Sequence, residues 1–396
     1  MLDSQTSLLS SVMPTYKRFP IEMKKGKGSY VWDADGTKYL DFTSGIATCN
    51  LGHVPDSVKE AVSEQLENLW HCSNLYYIPS QEKLAQLLTG KTCFDQVFFC
   101  NSGAEANEAA IKLARRYANK IKGIKDPTIV TFTHSFHGRT LGTLTATAQK
   151  KIQDGFSPLM PGFTYLPYND LDALSYLAHN SHCAGVLLEL VQGEGGVIPA
   201  DQDWVNELHR ICKENDILFM VDEVQSGVGR TGTLYAYEQY GIEPDVLTSA
   251  KGLGSGFPIG AMLAKSAAAK GFEPGSHGST FGGNPLATTA GVATLETFDK
   301  EDILSKSNEN GKYLSEQLSG LKDKYKKLIV SVRGKGLLLG LETAIPAADV
   351  VTKMRENHVL ILTAGEKVVR ILPPLTTNKE EIDAFIQTMD LALSQL

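Results

Sequence analysis

The stretch DVLTSAKGLGSGFPIGAML, residues 245–263, contains an apolar run that ends abruptly in a single lysine. The run Val246 to Ala250 is typical of a strand that is covered on both faces of a sheet. Lys251 follows it, flanked by glycines and small residues that leave room for a group bound to the amine. A lysine that ends a strand is more often a solvated cap. The alternative is a buried lysine with a chemical role, because burying an ammonium group is costly.

Similar apolar runs precede this one and alternate with amphipathic helical patterns. Such alternation predicts βα units and a mostly parallel sheet, and therefore an α/β protein. The predicted strands are QVFFC (96–100), TIVTFT (128–133), GVLLEL (185–190), ILFMVD (217–222) and DVLTSA (245–250), and the clearest helices are 104–121 and 203–215.

The pattern changes towards both ends of the chain. YVWDADGTKYLDF (30–42) alternates around an Asp-Gly turn and predicts a hairpin. After about residue 290, helical segments lead to LIVSVRGKGLLLGLE (328–342) and KVVRILPPL (367–375), which indicate a smaller α+β unit. We therefore predict a large domain over 51–290 and a second, smaller domain formed by 1–50 together with 291–396.

Composition and charge exclude several classes of protein. The 396 residues are 42% hydrophobic and carry a net charge of −7 without a basic block, which argues against nucleic-acid binding. No run approaches about 18 consecutive apolar residues, so no membrane span is predicted. The N-terminus lacks the basic region of a secretory signal. Six scattered cysteines without a C-x-x-C pair fit reduced thiols, and we expect a cytoplasmic protein.

Polar residues follow the predicted strands, at the edge where parallel sheets bind ligands. Ser102 and Gly103 open a long helix whose free amides suit a phosphate, although a capping box with Glu105 explains the same residues. Asp222 ends a buried strand and needs a positive partner, either the nitrogen of a pyridine ring or a lysine. Alternatively, its side chain caps a turn.

Three further segments carry candidate groups. Phe136 stands near Arg139, which pairs a flat ring with a guanidinium suited to a carboxylate, although a core phenylalanine and a surface arginine fit equally. Glu194 lies among glycines in VQGEGGV, and GSHGSTFGGNP (275–285) offers hydroxyl and amide donors. His134 and His137 have no cluster of further ligands, so no metal site is predicted. Together, these groups are the parts that pyridoxal phosphate chemistry needs.

Nearly end to end, from YVWDADGTKYLDF to VVRILPPL, the chain resembles the class III, fold type I pyridoxal-phosphate aminotransferases. The most specific segments are NSGAEANEAAIKLAR, FHGRT, QGEGG, DEVQSGVGRTG, AKGLGSGFPIGAM and HGSTFGGNP. The resemblance implies a seven-stranded, mostly parallel sheet and a homodimer with its active sites at the subunit interface. It is greatest to members that transfer the terminal amine of N2-acetyl-L-ornithine to 2-oxoglutarate in arginine biosynthesis.

The resemblance also implies a role for each matching residue. Lys251 would form the covalent link to the cofactor, Asp222 would pair with its pyridine nitrogen, and Glu194 would act with Arg370 as a switch between substrates. The implied cofactor-binding residues are Ser102, Gly103, Ala104, Phe136, Asp222, Glu223, Val224, Gln225, Lys251 and Thr280 of the partner subunit. The implied substrate-binding residues are Arg139, Ser279, Glu194 and Arg370.

Several alternatives stay open. Ile46 stands where the ornithine δ-aminotransferases have a tyrosine, which disfavours free ornithine, but 4-aminobutyrate and succinylornithine fit the same pattern. The segment GVGRTG (227–232) formally matches a dinucleotide fingerprint. However, Asp222 and Glu223 separate it from its strand, and no acidic residue stands about 20 positions beyond. An oxidoreductase and a non-catalytic binding protein are therefore the competing classes.

Overall fold

The computed structural model describes residues 11–396. Residues 1–10, which belong to the N-terminus in which we predict no secretory signal, lie outside the described part. Within residues 11–396, no helix combines the length and the apolar character that a membrane crossing requires. All six cysteines are free.

Strands and helices alternate through the middle of the chain, as the sequence predicts. The strands are β1 (Met23–Lys27), β2 (Tyr30–Asp33), β3 (Lys38–Asp41), β4 (Gln96–Cys100), β5 (Thr128–Phe132), β6 (Phe163–Leu166), β7 (Cys183–Leu188), β8 (Val191–Gln192), β9 (Ile198–Pro199), β10 (Leu218–Asp222), β11 (Val246–Ser249), β12 (Gly260–Ala264), β13 (Ile329–Lys335), β14 (Leu338–Thr343), β15 (Val359–Leu360), β16 (Leu362–Thr363) and β17 (Val368–Ile371). The α-helices are α1 (Ser44–Ala47), α2 (Asp56–Leu66), α3 (Pro79–Gly90), α4 (Gly103–Lys120), α5 (Leu141–Ala146), α6 (Lys150–Gln153), α7 (Ser175–Ala178), α8 (Gln202–Glu214), α9 (Ser266–Ala269), α10 (Pro285–Lys300), α11 (Ile303–Lys324), α12 (Ala347–Glu356) and α13 (Lys379–Ser394).

A seven-stranded sheet forms the centre, in the order β4-β12-β11-β10-β7-β5-β6. Only β12 is antiparallel to its neighbours, so the predicted mostly parallel α/β sheet is confirmed. Strands β7, β10, β11 and β12 are buried along their whole length, which explains their continuous apolar sequences. The carboxyl ends of the parallel strands meet at one edge, where the candidate site lies.

Two smaller sheets connect the ends of the chain. The predicted hairpin is present as β2 and β3, and β15 adds to it in parallel, with Val359 opposite Leu40. The other sheet has the order β13-β14-β17-β16 and places Arg370 opposite Gly340. The N-terminal segment and the C-terminal third thus share a sheet, while the domain boundaries themselves stay predictions.

Candidate active site

A cavity of about 400 Å³ lies at the carboxyl edge of the large sheet. Most of the residues that line it follow a strand of that sheet directly or open the next helix. The predicted site residues among them are Ser102, Gly103, Ala104, Phe136, Arg139, Asp222, Val224, Gln225 and Lys251. The fold thus gathers, around one space, groups that are spread over about 150 residues of the sequence.

Lys251 reaches the cavity from a strained turn. It follows β11 and Ala250 with a φ of 44°, in the left-handed region that a residue with a Cβ adopts at a cost. Burial lowers the pKa of Lys251 to about 8; the charge of Arg370 acts in the same direction, and the carboxylates of Glu194 and Asp222 oppose it. An amine with this pKa exists in both protonation states near neutral pH, as a group that exchanges protons requires.

Asp222 is held at the end of β10 by three hydrogen-bond donors. Its Oδ2 accepts from Asn107 Nδ2 and from His137 Nδ1, each at 2.7 Å, and its Oδ1 accepts from the amide of Val224 at 3.0 Å. Thr248 in turn donates to Asn107 Oδ1 at 2.6 Å. The bracing fixes a buried anion at the cavity wall, and sequence reasoning identified neither Asn107 nor His137 as part of it.

The start of helix α4 forms the wall next to this carboxylate. Ser102 caps the helix by accepting from the amide of Glu105 at 3.2 Å, so the predicted cap is present. Within residues 11–396, the amides of Gly103 and Ala104 donate no hydrogen bond, as expected for the first turn of a helix. A Cβ on Gly103 would lie 2.6 Å from a methyl group of Val224. A side chain at 103 would therefore clash with Val224 unless one of the two residues shifted, and the free amides at this helix start suit an anion.

Glu189 is a cavity residue that the sequence analysis missed. Its Oε2 accepts from the amide of Phe136 at 2.9 Å, which fixes the backbone next to that ring. Burial, reinforced by the charge of Asp222, raises the pKa of Glu189 well above its usual value. The signal was present: Glu189 follows an apolar strand just as Asp222 does.

Glu194 and Arg370 form an ion pair next to Gln225. Arg370 is 2% exposed, and its Nη1 donates to Glu194 Oε1 at 2.5 Å and to Gln225 Oε1 at 3.1 Å. Burial raises the pKa of Glu194, but Arg370, together with Lys251 and Gln225, outweighs burial and holds that pKa below its usual value. A carboxylate and a guanidinium from distant parts of the chain thus neutralise each other beside the cavity.

Four predicted residues lie at the rim of the cavity or outside it. Arg139 is exposed at the cavity rim, with its guanidinium carbon 5.6 Å from the centre of the Phe136 ring. Ser279 accepts from Asn101 Nδ2 at 3.2 Å, next to the cavity, whereas Thr280 is exposed. Glu223 accepts from the amides of residues 236 and 237, at 2.9 and 2.8 Å, and does not line the cavity. Its predicted contact with a cofactor stays untested.

The GVGRTG segment packs against protein, not around a ligand. A Cβ on Gly229 would lie 2.6 Å from the ring of Phe298 in α10, and one on Gly232 would collide with Asn308 in α11. The glycines therefore serve close helix packing. The competing interpretation as a dinucleotide fingerprint loses its structural basis.

The family model described as "Aminotransferase class-III" matches residues 11–393. The chain belongs to this family. It is 59% identical over 98% of its length, and 97% of the relative's, to the acetylornithine aminotransferase of Oceanobacillus iheyensis. With the acetylornithine aminotransferase of Listeria monocytogenes the identity is 51%, over 97% of both chains.

Solved structures agree with the family. The ornithine aminotransferase of Toxoplasma gondii superposes with a TM-score of 0.95 at 30% identity, covering 99% of this chain and 94% of the other. The acetylornithine aminotransferase of Elizabethkingia anophelis gives 0.88 at 30% identity, covering 99% and 98%. Class III aminotransferases depend on pyridoxal phosphate, so the chain is a transaminase that uses this cofactor.

The residues of the cavity fit that cofactor. Free amides at the start of α4 suit its phosphate, the braced Asp222 carboxylate suits a protonated ring nitrogen, and Lys251 suits its aldehyde. Gly103 lets the start of α4 lie close to Val224, since a Cβ there would meet that side chain. The donor set therefore matches the phosphate, the ring nitrogen and the aldehyde of the cofactor.

Proposed function

We propose that the chain transfers the terminal amine of N2-acetyl-L-ornithine to 2-oxoglutarate, giving N-acetyl-L-glutamate 5-semialdehyde and L-glutamate. Such a reaction belongs to arginine biosynthesis. The observation that carries the proposal is the Glu194–Arg370 ion pair beside Lys251, because one cavity must accept an amine with no adjacent carboxylate and then an α-keto acid. The relatives named acetylornithine aminotransferase at 59% and 51% identity support this donor.

The cofactor, when bound, supplies an aldehyde and an electron-accepting ring. The chain supplies the groups around it. Lys251 Nζ gives and takes the proton at the reacting carbon, which its pKa of about 8 permits near neutral pH. Asp222 holds an anionic charge at the ring nitrogen, and Asn107 and His137 keep its carboxylate oriented. In this proposal Phe136 covers the ring, with its backbone fixed by Glu189.

Glu194 acts as the switch between the two substrates. While Glu194 pairs with Arg370, its carboxylate neutralises the guanidinium. The end of the donor that carries the terminal amine and no carboxylate then meets no unpaired positive charge. When a second carboxylate arrives, Glu194 moves away and Arg370 Nη1 binds that carboxylate. Arg139, exposed at the rim, binds the carboxylate common to both substrates. Gln225 holds Arg370 in place whether or not Glu194 is paired with it, because Arg370 Nη1 also donates a hydrogen bond to Gln225 Oε1.

The active form in this proposal is a homodimer, with Thr280 of the partner subunit completing the phosphate site. The exposure of Thr280, together with the exposed apolar side chains of Tyr76, Tyr77 and Phe281, supports a contact at this surface. The cytoplasmic location expected from the sequence stays a prediction as well.

A single-turnover experiment tests the donor. The holoenzyme is mixed separately with N2-acetyl-L-ornithine, N2-succinyl-L-ornithine, L-ornithine and 4-aminobutyrate, and conversion of the cofactor to its amine form is followed by absorbance. We expect N2-acetyl-L-ornithine to give the highest ratio of rate to dissociation constant. If ornithine or 4-aminobutyrate exceeds it, the proposed donor is wrong while the transaminase activity stands.

A further inference from the structure

Arg230 is a buried guanidinium that has no role in the proposed reaction. It stands in the GVGRTG segment and is fully buried. Within residues 11–396 its hydrogen bonds all go to neutral oxygens: Asn50 Oδ1 at 2.9 Å, the Leu337 carbonyl at 3.1 Å, the Ser44 hydroxyl at 3.5 Å and the Pro373 carbonyl. Burying a charge without a counter-ion is costly. We therefore expect this guanidinium to provide something that a neutral side chain cannot.

The guanidinium of Arg230 joins parts of the chain that are far apart in the sequence. Its donors form a rigid planar fork, which can hold several oxygen atoms in one fixed arrangement. Arg230 itself follows β10. Of its acceptors, Ser44 and Asn50 lie between β3 and α2, Leu337 lies between β13 and β14, and Pro373 follows β17. Arg230 therefore fixes the end of β17 against the N-terminal segment and against the loop after β10.

The end of β17 supports a residue that has a role in the proposed reaction. Arg370 lies in β17, and two consecutive prolines follow soon after the strand. Prolines fix their own φ angles and restrict the residues before them, so this stretch is stiff. Arg230 donates to the Pro373 carbonyl, and the Ser44 hydroxyl donates to the Leu372 carbonyl. Holding these two carbonyls therefore holds the strand end that carries Arg370.

Ser44 is itself held firmly, in a turn of unusual backbone conformation. The four residues of α1, Ser44–Ala47, have positive φ angles between 39° and 64°, a left-handed turn that residues with a Cβ adopt at a cost. Asp41 Oδ1 accepts from the amide of Ser44 at 3.2 Å, and Asp41 Oδ2 lies 2.7 Å from His53 Nε2. Burial lowers the pKa of His53, but its neighbours, Asp41 foremost, outweigh burial and raise that pKa to about 10. An ion pair therefore supports the turn at neutral pH.

Another contact of Arg230 leads to the turn that carries Lys251. Asn50 Oδ1 accepts from Arg230, and Asn50 Nδ2 donates to the Val228 carbonyl at 2.6 Å. A Cβ on Gly252, the residue after Lys251, would collide with the amide of Asn50. The Asn50 side chain is therefore packed directly against the backbone next to the reacting amine. Arg230 thus connects the support of Arg370 with the support of Lys251.

Arg370 and Lys251 bound the space that the amino acceptor has to fill. In the proposed reaction the keto carbon of the acceptor lies at Lys251, and its distal carboxylate binds Arg370. A support that fixes the separation of these two groups therefore fixes how many carbon atoms fit between the keto carbon and the distal carboxylate.

We propose that Arg230 is a positioning residue that sets the separation between Arg370 and Lys251, and thereby selects the chain length of the dicarboxylic 2-oxo acid that accepts the amine. The inference rests on the proposed function, in which Arg370 binds the second carboxylate of 2-oxoglutarate. Arg230 acts through Pro373 and Asn50. In 2-oxoadipate, which is longer by one methylene group, the keto carbon and the distal carboxylate do not match both ends of the space at once.

The test compares the two acids in single turnovers. The holoenzyme is brought to its amine form by exchange with pyridoxamine phosphate, so that no amine donor is needed, and is mixed with 2-oxoglutarate or with 2-oxoadipate. Absorbance follows the return of the cofactor to its aldehyde form and gives the ratio of rate to dissociation constant for each acid. We expect the unmodified chain to favour 2-oxoglutarate at least about tenfold, since one methylene group is worth about that much in a fitted pocket.

Two variants weaken the support of Arg370. Arg230→Met removes the fork and should reduce the preference for 2-oxoglutarate at least about threefold, because the distal carboxylate is no longer met at a fixed distance. Ser44→Ala, which removes only the hydroxyl that holds Leu372, should reduce it by a smaller factor. The matched control is Arg115→Met: Arg115 also donates to a proline carbonyl, that of Pro161 at 2.6 Å, but outside the cavity. Its preference should equal that of the unmodified chain.

The ratio between the two acids separates positioning from a general loss of stability. Misfolding lowers the amount of active protein and slows both acids alike, which leaves the ratio unchanged. An unchanged ratio in Arg230→Met and Ser44→Ala, an equal change in Arg115→Met, or no preference in the unmodified chain would overturn the proposal. If Arg230→Met does not fold, Ser44→Ala decides alone.

The same measurements distinguish this inference from the proposed function. A wrong amine donor does not affect them, because the amine form is prepared without a donor. If 2-oxoglutarate did not react at all, the proposed acceptor would be wrong and this inference would fall with it.

Discussion

The two ends of the cavity are built in different ways. At the cofactor end, Ser102, Asp222 and Lys251 each follow a strand of one sheet, so their neighbourhood is set by strand order. At the substrate end, Glu194 comes from a loop after that sheet and Arg370 from β17 of another sheet, 176 residues away. The first end is braced by several hydrogen bonds, whereas the second has one ion pair and one hydrogen bond from Arg370 to Gln225. From this difference we expect rigid chemistry at the first end and exchangeable recognition at the second.

The largest effect is expected at the cofactor end, for Lys251→Ala. Without the amine, the proton transfer at the reacting carbon and the covalent link are both lost, and kcat should fall by about 10³-fold or more. Steady-state turnover measures it, with far-UV circular dichroism to verify folding. Lys265→Ala, which removes a partly exposed lysine paired with Glu243, is the control and should retain full activity. Retained turnover in Lys251→Ala would refute the assignment of the cofactor end.

Asp222→Asn should have the next largest effect. The change keeps the shape but removes the charge at the ring nitrogen and turns an amide towards the donors Asn107 and His137. We expect kcat to fall by about 10²-fold or more. Asp245→Asn is the control, since its partly buried carboxylate accepts from the amide of Phe219 outside the cavity. If both variants lose the same activity, the charge at 222 has no specific role.

Glu194→Ala tests the exchangeable end. With Arg370 no longer neutralised, the half-reaction with the amine donor should slow about tenfold, corresponding to about 1.5 kcal/mol for a hydrogen bond between charged groups. The half-reaction with glutamate should change much less. Stopped-flow absorbance separates the two. Glu342→Ala, which removes the partner of Arg333 in the same small sheet, should affect neither half-reaction. Unchanged traces for Glu194→Ala would contradict the switch.

The smallest expected effect is on the pH dependence of the stability of the cofactor-free chain. The pKa of Lys251 is about 8 in the folded chain, against an ordinary value of 10.5. Between these two pH values the unfolded chain therefore binds more protons than the folded chain. The free energy of unfolding should therefore rise with pH between 8 and 9, by about 1 kcal/mol per pH unit relative to Lys251→Met. Urea unfolding of both chains at each pH measures the difference. Parallel pH profiles would show that this lysine is not buried in the folded state.

Much of the cofactor end was predictable because its signals are local. Apolar runs predicted five of the seven strands of the large sheet, all except β6 and β12. A polar residue where such a strand ends, such as Asp222 or Lys251, marks the edge where ligands bind. The Ser102 cap has a short sequence signature that the structure retains. Glu189 carries the same signal as Asp222 and was overlooked. Consecutive residues of an extended strand point to opposite sides, which explains why Asp222 faces the cavity and Glu223 does not.

The sequence by itself determined the α/β class, the large sheet and the family to which the chain belongs, because periodicity and motifs are properties of neighbouring residues. Only the tertiary structure decided which distant side chains meet. The contacts of Arg370 with Glu194, of His137 with Asp222 and of His53 with Asp41 depend on how separate elements pack. Burial and paired charge, which shift the pKa values of Lys251 and His53 in opposite directions, exist only after that packing.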